Sequence, residues 1–159
     1  ANLPAGVALA VRLSHTDWVE GGWTTEETVE LSRRLKALGA DVVDVTSGGL
    51  DAGQKIPLGP GYQVPGAAAV REGAGVAVMA VGLITEAAQA QAILDEGKAD
   101  MILLARAFLR DPYWVLNAAV ALGRTEALSV PPQYERGWGT LGKMAINRGV
   151  GAPMPALPG

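Results

Sequence analysis

Two arginines follow or end apolar runs, at places where a guanidinium could bind an anionic ligand. Arg106 comes just after the run of residues 101–104, and Arg12 lies near the carboxyl end of the run 7–13. Runs without a polar face are typical of parallel strands buried on both sides. Ligands of α/β folds bind beyond the carboxyl ends of strands, and a planar guanidinium suits phosphate. The pattern predicts a phosphate ligand for Arg106, and the alternative is a surface arginine at the start of a helix. For Arg12 it predicts either a ligand or an acidic neighbour.

Small residues stand at the same strand ends. Gly82, Ala105 and the pair Ser47-Gly48 each follow an apolar or β-branched run. Small residues let backbone amides approach a bound group, so these turns are candidates for ligand contact. Gly82 could alternatively mark only a tight turn. The Ser47-Gly48 segment is equally consistent with a structural role.

The elements that position these residues alternate between strand and helix. Thr24 and Glu27 form a capping box that predicts the start of the first helix, and Gly39 ends it. Asp111-Pro112 predicts another helix start, because aspartate caps helices and proline suits their first turn. The predicted strands are 7–13, 41–45, 75–80 and 101–104, and the predicted helices are 24–38, 66–72, 85–97 and 112–122. This alternation predicts parallel strands with right-handed crossovers.

Four βα units can form half of an eight-fold barrel or a small open sheet. The last two strands of this chain end in small-residue turns. Barrels commonly build a phosphate site from the loops after strands seven and eight. We therefore interpret the chain as strands five to eight of a TIM (β/α)8 barrel, an α/β fold.

Composition excludes several kinds of site and partner. The chain has 159 residues, a formal net charge of -3, one histidine and no cysteine. Disulfides, thiolate ligands and multi-histidine metal sites are therefore excluded within it. The absence of a basic cluster argues against nucleic acid, and the absence of a long apolar run argues against a membrane span. A cytoplasmic protein is expected, with residues 1–138 as the domain and arm and 139–159 as a poorly ordered tail.

Several segments together resemble the carboxyl-terminal half of the Old Yellow Enzyme family, in its bacterial thermophilic-like branch of FMN-dependent ene-reductases. The resemblance runs over about residues 4–138, in order and with consistent spacing. Its motifs are VRLSHTDW, EGGW, VTSGG, PGYQVP, AVGLIT, ARAFLRDPYW and PPQYERGW.

The resemblance implies a barrel that binds FMN and takes hydride from NAD(P)H. Hydride would pass through flavin N5 to an activated alkene, an α,β-unsaturated compound. Arg12 matches the arginine beside the pyrimidine edge of the flavin, and Ser47-Gly48 lies in a segment that could contact the flavin. Gly82 and Ala105-Arg106 match the phosphate-binding turns, where the family usually has glycine in place of Ala105.

The resemblance also implies contacts beyond this chain. Arg136 matches an arginine that reaches the active site of a neighbouring subunit, and Tyr134 lies beside it. A homodimer or a dimer of dimers is therefore expected. The family's catalytic histidine or asparagine pair lies on strands one to four, which this chain lacks, so an amino-terminal half-barrel is an expected partner and the chain alone is expected to be inactive. The alternatives are a barrel that binds a phosphorylated metabolite without flavin, and a non-catalytic half-barrel.

Overall fold

A computed structural model describes residues 3, 4, 6–128 and 131–134 of the chain. These residues belong to two compact units. The first unit comprises the chain up to Thr85 together with Gln89–Leu104, and it contains the whole sheet. The second unit comprises Glu86–Ala88 and the described residues from Ala105 onward. The predicted boundary after residue 138 and the predicted tail fall outside the described residues.

Up to β4 the order of elements is the predicted alternation of strands and helices. The strands are β1 (Ala10–Ser14), β2 (Val42–Thr46), β3 (Ala77–Ala80) and β4 (Met101–Ile102). The helices are α1 (Thr25–Ala37), α2 (Val64–Ala74), α3 (Ala87–Asp95), α4 (Arg106–Arg110) and α5 (Trp114–Ala121), followed by the 3₁₀ turns Thr125–Ala127 and Pro132–Tyr134. All strand pairs are parallel and the spatial order is β1-β2-β3-β4. The predicted α/β class with a parallel sheet is confirmed.

One face of the sheet forms the core. Val43, Val45, Val78 and Ala80 are fully buried there, and α2 packs on β2 and β3 while α1 packs on α2. Side chains alternate across a strand, so the neighbouring positions face the other way. The register pairs Arg12 with Asp44, Asp44 with Met79, and Met79 with Met101. These four residues lie in one row on the opposite side, which we call the open face.

The first helix begins where its capping box predicts. The Glu27 amide donates to Thr24 Oγ1 at 3.3 Å, and the Thr24 amide donates to Glu27 Oε2 at 2.9 Å. These two bonds satisfy amide groups that have no partner within a helix. The second helix is longer than predicted and starts at Val64, because Pro65 fits the first turn of a helix.

The prediction that residues 7–13 and 101–104 are buried on both sides is wrong. Val7 is 52% exposed, Leu9 37% and Met101 44%. β1 and β4 are the two edges of the described sheet, and β4 contains only two residues. An apolar run indicates burial but does not distinguish an edge strand from a central one.

The region after β4 also differs from the prediction. Residues 106–110 form α4, which is too short to show a helical period in sequence, and the next helix starts at Trp114 instead of residue 112. Asp111 is not the residue before that helix. Its Oδ1 accepts the Tyr113 amide at 2.9 Å, which stabilises the turn between the two helices.

Candidate functional site

Arg12 lies on the open face and is held by Asp44. Its Nε donates to Asp44 Oδ2 at 2.5 Å. The Arg12 side chain is 60% exposed. Within the described part of the chain, neither of its Nη groups has a hydrogen-bond partner. The acidic neighbour that the sequence left open is therefore present, and four N–H donors of the guanidinium stay available for a ligand.

Asp44 was not among the residues singled out from sequence. Only 12% of its side chain is exposed, and its Oδ1 is buried without a partner among the described residues. A buried carboxylate is costly unless it is paired, so the contact with Arg12 offsets part of the cost of burying Asp44. The segment D-V-V-D-V, residues 41–45, predicts that its aspartates meet helices or solvent at the edge of the strand. That prediction is wrong for Asp44, because the register of the sheet places it against Arg12.

Gln63 links the carboxyl ends of two strands. It is buried, and its Oε1 accepts Ser47 Oγ at 2.7 Å and Thr46 Oγ1 at 3.3 Å. Its Nε2 donates to the Val81 carbonyl at 3.1 Å. The side chain thus connects the turn after β2 to the turn after β3. Its place in the PGYQVP motif was the only sequence signal for it.

The turn after β3 is built tightly around Gly82. Gly82 has φ +123°, and an added Cβ would lie 2.9 Å from Gln63 Nε2 and 3.2 Å from Tyr62 Cε1. Leu83 follows at φ +51°, which is uncommon for a residue with a side chain. The amides of Gly82 and Leu83 have no hydrogen-bond partner in the described ranges. This turn therefore offers free backbone donors at a carboxyl strand end.

The turn after β2 has similar features. Gly48 and Gly49 have φ +87° and +93°, values that favour glycine. A Cβ on Gly48 would lie 2.7 Å from Ile56 Cδ1, so the loop that follows packs directly on this glycine. The first unit therefore brings Ser47, Gly48 and Gly82 together at the carboxyl ends of the strands, with Gln63 between them.

His15 packs at the same carboxyl end of the sheet, directly after β1. It is buried, its Nδ1 lies 3.0 Å from Thr25 Oγ1, and its ring makes an edge contact with Trp18 at a centroid distance of 5.4 Å. A Cβ on Gly66 would lie only 2.5 Å from Nδ1 of the ring, so α2 accepts the imidazole only because glycine is there. Burial lowers the pKa of His15 and favours its neutral form.

The second unit contains the remaining predicted residues. Ala105 precedes α4 at φ -108°, a value that any residue adopts, so alanine causes no left-handed strain where the family pattern has glycine. Arg106 is exposed and has neither an ion pair nor a side-chain hydrogen bond with any residue that the structure describes. Tyr134 closes the second 3₁₀ turn. Arg136 lies outside the described residues.

Metal clusters and membrane-spanning helices are absent from the described residues. No group of three or more histidines, aspartates and glutamates in that part of the chain is placed so that it could hold a metal ion. No helix in the described ranges is long and apolar enough to span a membrane.

Comparison with known proteins places the chain in a family. Residues 5–124 match the model of the NADH:flavin oxidoreductase / NADH oxidase family. An NADPH dehydrogenase of a Geobacillus species is 48% identical over 130 residues, covering 82% of this chain and 37% of that protein. NADPH dehydrogenases of Halalkalibacterium halodurans and Listeria innocua are 45% and 43% identical, again over 82% of this chain and 38% of their own lengths.

A solved structure is also similar. It is 2-naphthoyl-CoA reductase in complex with 2-naphthoyl-CoA, with a TM-score of 0.60, 27% identity and coverage of 72% of this chain and 18% of that one. The chain therefore spans less than two fifths of the length of these relatives. The predicted family is confirmed, and with it the prediction of FMN and NAD(P)H as the cofactors of that family. This chain belongs to the NADH:flavin oxidoreductase / NADH oxidase family.

Proposed function

We propose that this chain supplies strands five to eight of an eight-stranded βα barrel, which binds FMN and transfers hydride from NAD(P)H to an activated alkene. The observation that carries the proposal is the open face, where Arg12 presents guanidinium donors that pair with no other described residue, in a chain of a flavin oxidoreductase family. In such a barrel, ligands bind at the carboxyl ends of the strands, and the predicted strand that contains Arg12 has this residue near its carboxyl end.

The order of the strands supports the barrel. Consecutive parallel strands that are also spatial neighbours, joined by right-handed crossovers, place their connecting helices on one face of the sheet. The open face is then left for barrel closure. Leu9 and Met101 expose apolar surface near the two edge strands, and unpaired edges are unfavourable unless another strand covers them. A partner with four more strands would cover both edges, and the amino-terminal half-barrel is our proposed partner.

The residues present fit FMN in the chemistry of their donors. A phosphate dianion is bound by free backbone amides and by guanidinium groups. The turn at Gly82 and Leu83 has amides at a carboxyl strand end that no described residue accepts from. In the second unit, Arg106 is exposed and unpaired with described residues, and we assign it to the phosphate on the family motif. The amide of Ala105 precedes it.

Arg12 is assigned to the pyrimidine edge of the ring. When bound, FMN supplies two-electron hydride chemistry, and its reduced ring carries negative charge at that edge. A fixed cation stabilises charge that develops in the reaction more than charge already present. Arg12 would therefore stabilise the bound reduced flavin more than the bound oxidised flavin. Ser47 has its hydroxyl held by Gln63, and we assign it to a supporting contact with the flavin.

The proposal is tested by completing the barrel. This chain is joined behind the amino-terminal part of the Geobacillus NADPH dehydrogenase that lies outside the match, which gives a reconstituted barrel. We expect a yellow protein that retains FMN through gel filtration and oxidises NADPH when an α,β-unsaturated ketone is present. The matched control is the same reconstituted barrel with Arg12→Gln and Arg106→Gln. A folded, colourless reconstituted barrel that takes up no added FMN would overturn the proposal.

The same experiment separates the alternative functions. A colourless barrel that instead binds phosphorylated sugars would favour a metabolite enzyme without flavin. FMN titration of the 159-residue chain alone tests the non-catalytic alternative. If the chain alone is a stable monomer, and joining the other half adds no flavin binding, it is a structural module.

A dimer arm is the last part of the proposal. Pro131 and Pro132 restrict the backbone of the segment that leads to Tyr134 and Arg136. Pro132–Tyr134 form a 3₁₀ turn and not the extended conformation that the two prolines suggest, and we propose that this segment reaches a neighbouring subunit. We propose that Arg136 acts in a homodimer, from the neighbouring subunit. Mixing a reconstituted barrel that carries Arg136→Ala with one that is inactive in its amino-terminal half should recover activity. If subunits are shown to exchange and activity still does not recover, Arg136 acts in the active site of its own barrel.

A further inference from the structure

We propose that Asp44 is a positioning residue that fixes the Arg12 guanidinium and, through its own charge, limits how strongly Arg12 favours negative charge on a ligand. The inference rests on the proposed function, in which Arg12 contacts the flavin. It concerns a residue that no motif in the sequence singles out.

The geometry of the pair supports positioning. Arg12 and Asp44 are register partners on neighbouring parallel strands, so hydrogen bonds of the sheet hold their backbones in place. The contact is made by Nε, which lies at the base of the guanidinium. A bond at Nε restrains the rotation of the planar group and leaves both Nη groups as donors. Asp44 therefore orients the donors that Arg12 presents.

The Asp44 and Arg12 side chains differ in burial, which supports a fixed orientation of the guanidinium. The Asp44 side chain is 12% exposed and the Arg12 side chain is 60% exposed. The carboxylate is thus held within the sheet, whereas the guanidinium extends outward from the open face. Met79, the next residue in the row, has no charge to compete for Asp44. Arg12 is the one cation that contacts Asp44 among the residues that the structure describes.

The charge of Asp44 has a separate effect. Its Oδ1 has no hydrogen-bond donor among the described residues, so only the contact at Oδ2 offsets its negative charge. A carboxylate behind the guanidinium lowers the positive potential that the ligand experiences. Removing that charge while Arg12 stays in place should make the site favour reduced flavin over oxidised flavin more strongly than the parent does.

The test uses Asp44→Asn in the reconstituted barrel. Asparagine keeps the shape and can still accept from Nε through its amide oxygen. One unit charge at about 10 Å, with an effective dielectric of about 20, changes relative affinities by roughly tenfold. We therefore expect the affinity for reduced over oxidised FMN to rise about tenfold, which raises the midpoint potential by about 30 mV for a two-electron couple.

Asp41→Asn is the matched control. It makes the same change in charge on the same segment, three residues earlier and about 10 Å further along the strand. Asp41 is exposed and its Oδ2 accepts the Leu9 amide at 2.8 Å, so it has no contact with Arg12. We expect the potential of Asp41→Asn to equal that of the parent. A role in stability alone would leave the potential unchanged in both variants.

Two further variants test whether Asp44 acts through Arg12. In an Arg12→Gln background, Asp44→Asn should raise the potential by about as much as in the parent, because its charge acts on the flavin through space. In the same background Asp44→Glu should no longer weaken FMN binding, because no guanidinium is left to displace. If Asp44→Asn folds poorly, Asp44→Glu keeps the charge but displaces the guanidinium, and it should weaken FMN binding without raising the potential. A raised potential in Asp44→Glu would overturn the charge argument.

The outcomes separate this inference from the proposed function. A folded parent without flavin overturns both. A flavin-bound parent in which Asp44→Asn and Asp41→Asn have the same potential overturns the role of Asp44 alone. A raised potential confined to Asp44→Asn supports the charge effect, and weaker FMN binding in Asp44→Glu that depends on Arg12 supports the positioning.

Discussion

Replacing Gly82 by alanine tests whether the turn after β3 depends on close packing against Gln63. The backbone there has φ +123°, a conformation that costs a residue with a side chain about 1–3 kcal/mol. The new Cβ would also lie 2.9 Å from Gln63 Nε2 and 3.2 Å from its Cγ. Forcing an extra methyl group into a packed site costs about 1–3 kcal/mol. We expect the free energy of unfolding to fall by about 2–6 kcal/mol.

Gln63 has little freedom to move away from the added methyl group. Its amide accepts from Ser47 at 2.7 Å and donates to the Val81 carbonyl at 3.1 Å, so displacement would break bonds to both turns. A broken bond to a buried group costs about 1–3 kcal/mol. FMN retention should therefore fall together with stability, because the same turn supplies the proposed phosphate donors.

Gly39→Ala is the matched control for this prediction. Gly39 also has a positive φ, +101°, but an added Cβ there meets nothing within 4 Å. Chemical denaturation of the reconstituted barrel, with FMN affinity measured by fluorescence, compares the two variants. Gly39→Ala should lose only the backbone component and keep the FMN affinity of the parent. Equal losses of stability and unchanged FMN affinity in both variants would refute the packing argument.

Three further predictions concern single side chains. Arg106→Ala should weaken FMN binding by roughly one to two decades, about 1.5–3 kcal/mol. The control Arg110→Ala, at the other end of α4, should leave FMN binding unchanged. If equilibrium dialysis gives both variants the same affinity for FMN, Arg106 is not part of the phosphate site. Because burial lowers the pKa of His15, the unfolded state binds its proton more readily, and stability should decrease as the pH falls below about 6.5. This loss should disappear in His15→Gln, as measured by urea denaturation between about pH 5 and pH 8. A hydrogen bond from Arg71 lowers the pKa of Asp100, so this pair stabilises the fold above the ordinary aspartate range and the effect is lost as the pH falls through the lowered value. Asp100→Asn should lower the free energy of unfolding by about 0.2–1 kcal/mol at neutral pH. FMN affinity should not change, because the pair lies at the amino end of β4, whereas ligands bind at carboxyl ends. A loss of flavin in this variant would contradict that placement.

Local features of the structure were predictable from sequence. The capping box at Thr24 sets the start of α1, because its bonds involve residues only three apart. Gly39 and Gly97 lie just after α1 and α3, where positive φ angles are needed. The order of strands and helices follows from the spacing of apolar residues, and the motif order was sufficient to recognise the family.

Contacts between residues distant in sequence were decided by the tertiary structure. Asp44 lies 32 residues from Arg12, and only the register of β1 against β2 brings them into contact. Gln63 joins Ser47 and Val81, which belong to turns after different strands. Whether an apolar run such as residues 101–104 is an edge or a centre depends on which strands pair, and the exposure of Met101 shows that it is an edge of the described sheet. Sequence patterns record the local preferences of the chain, whereas strand register and side-chain contacts depend on how the whole sheet assembles.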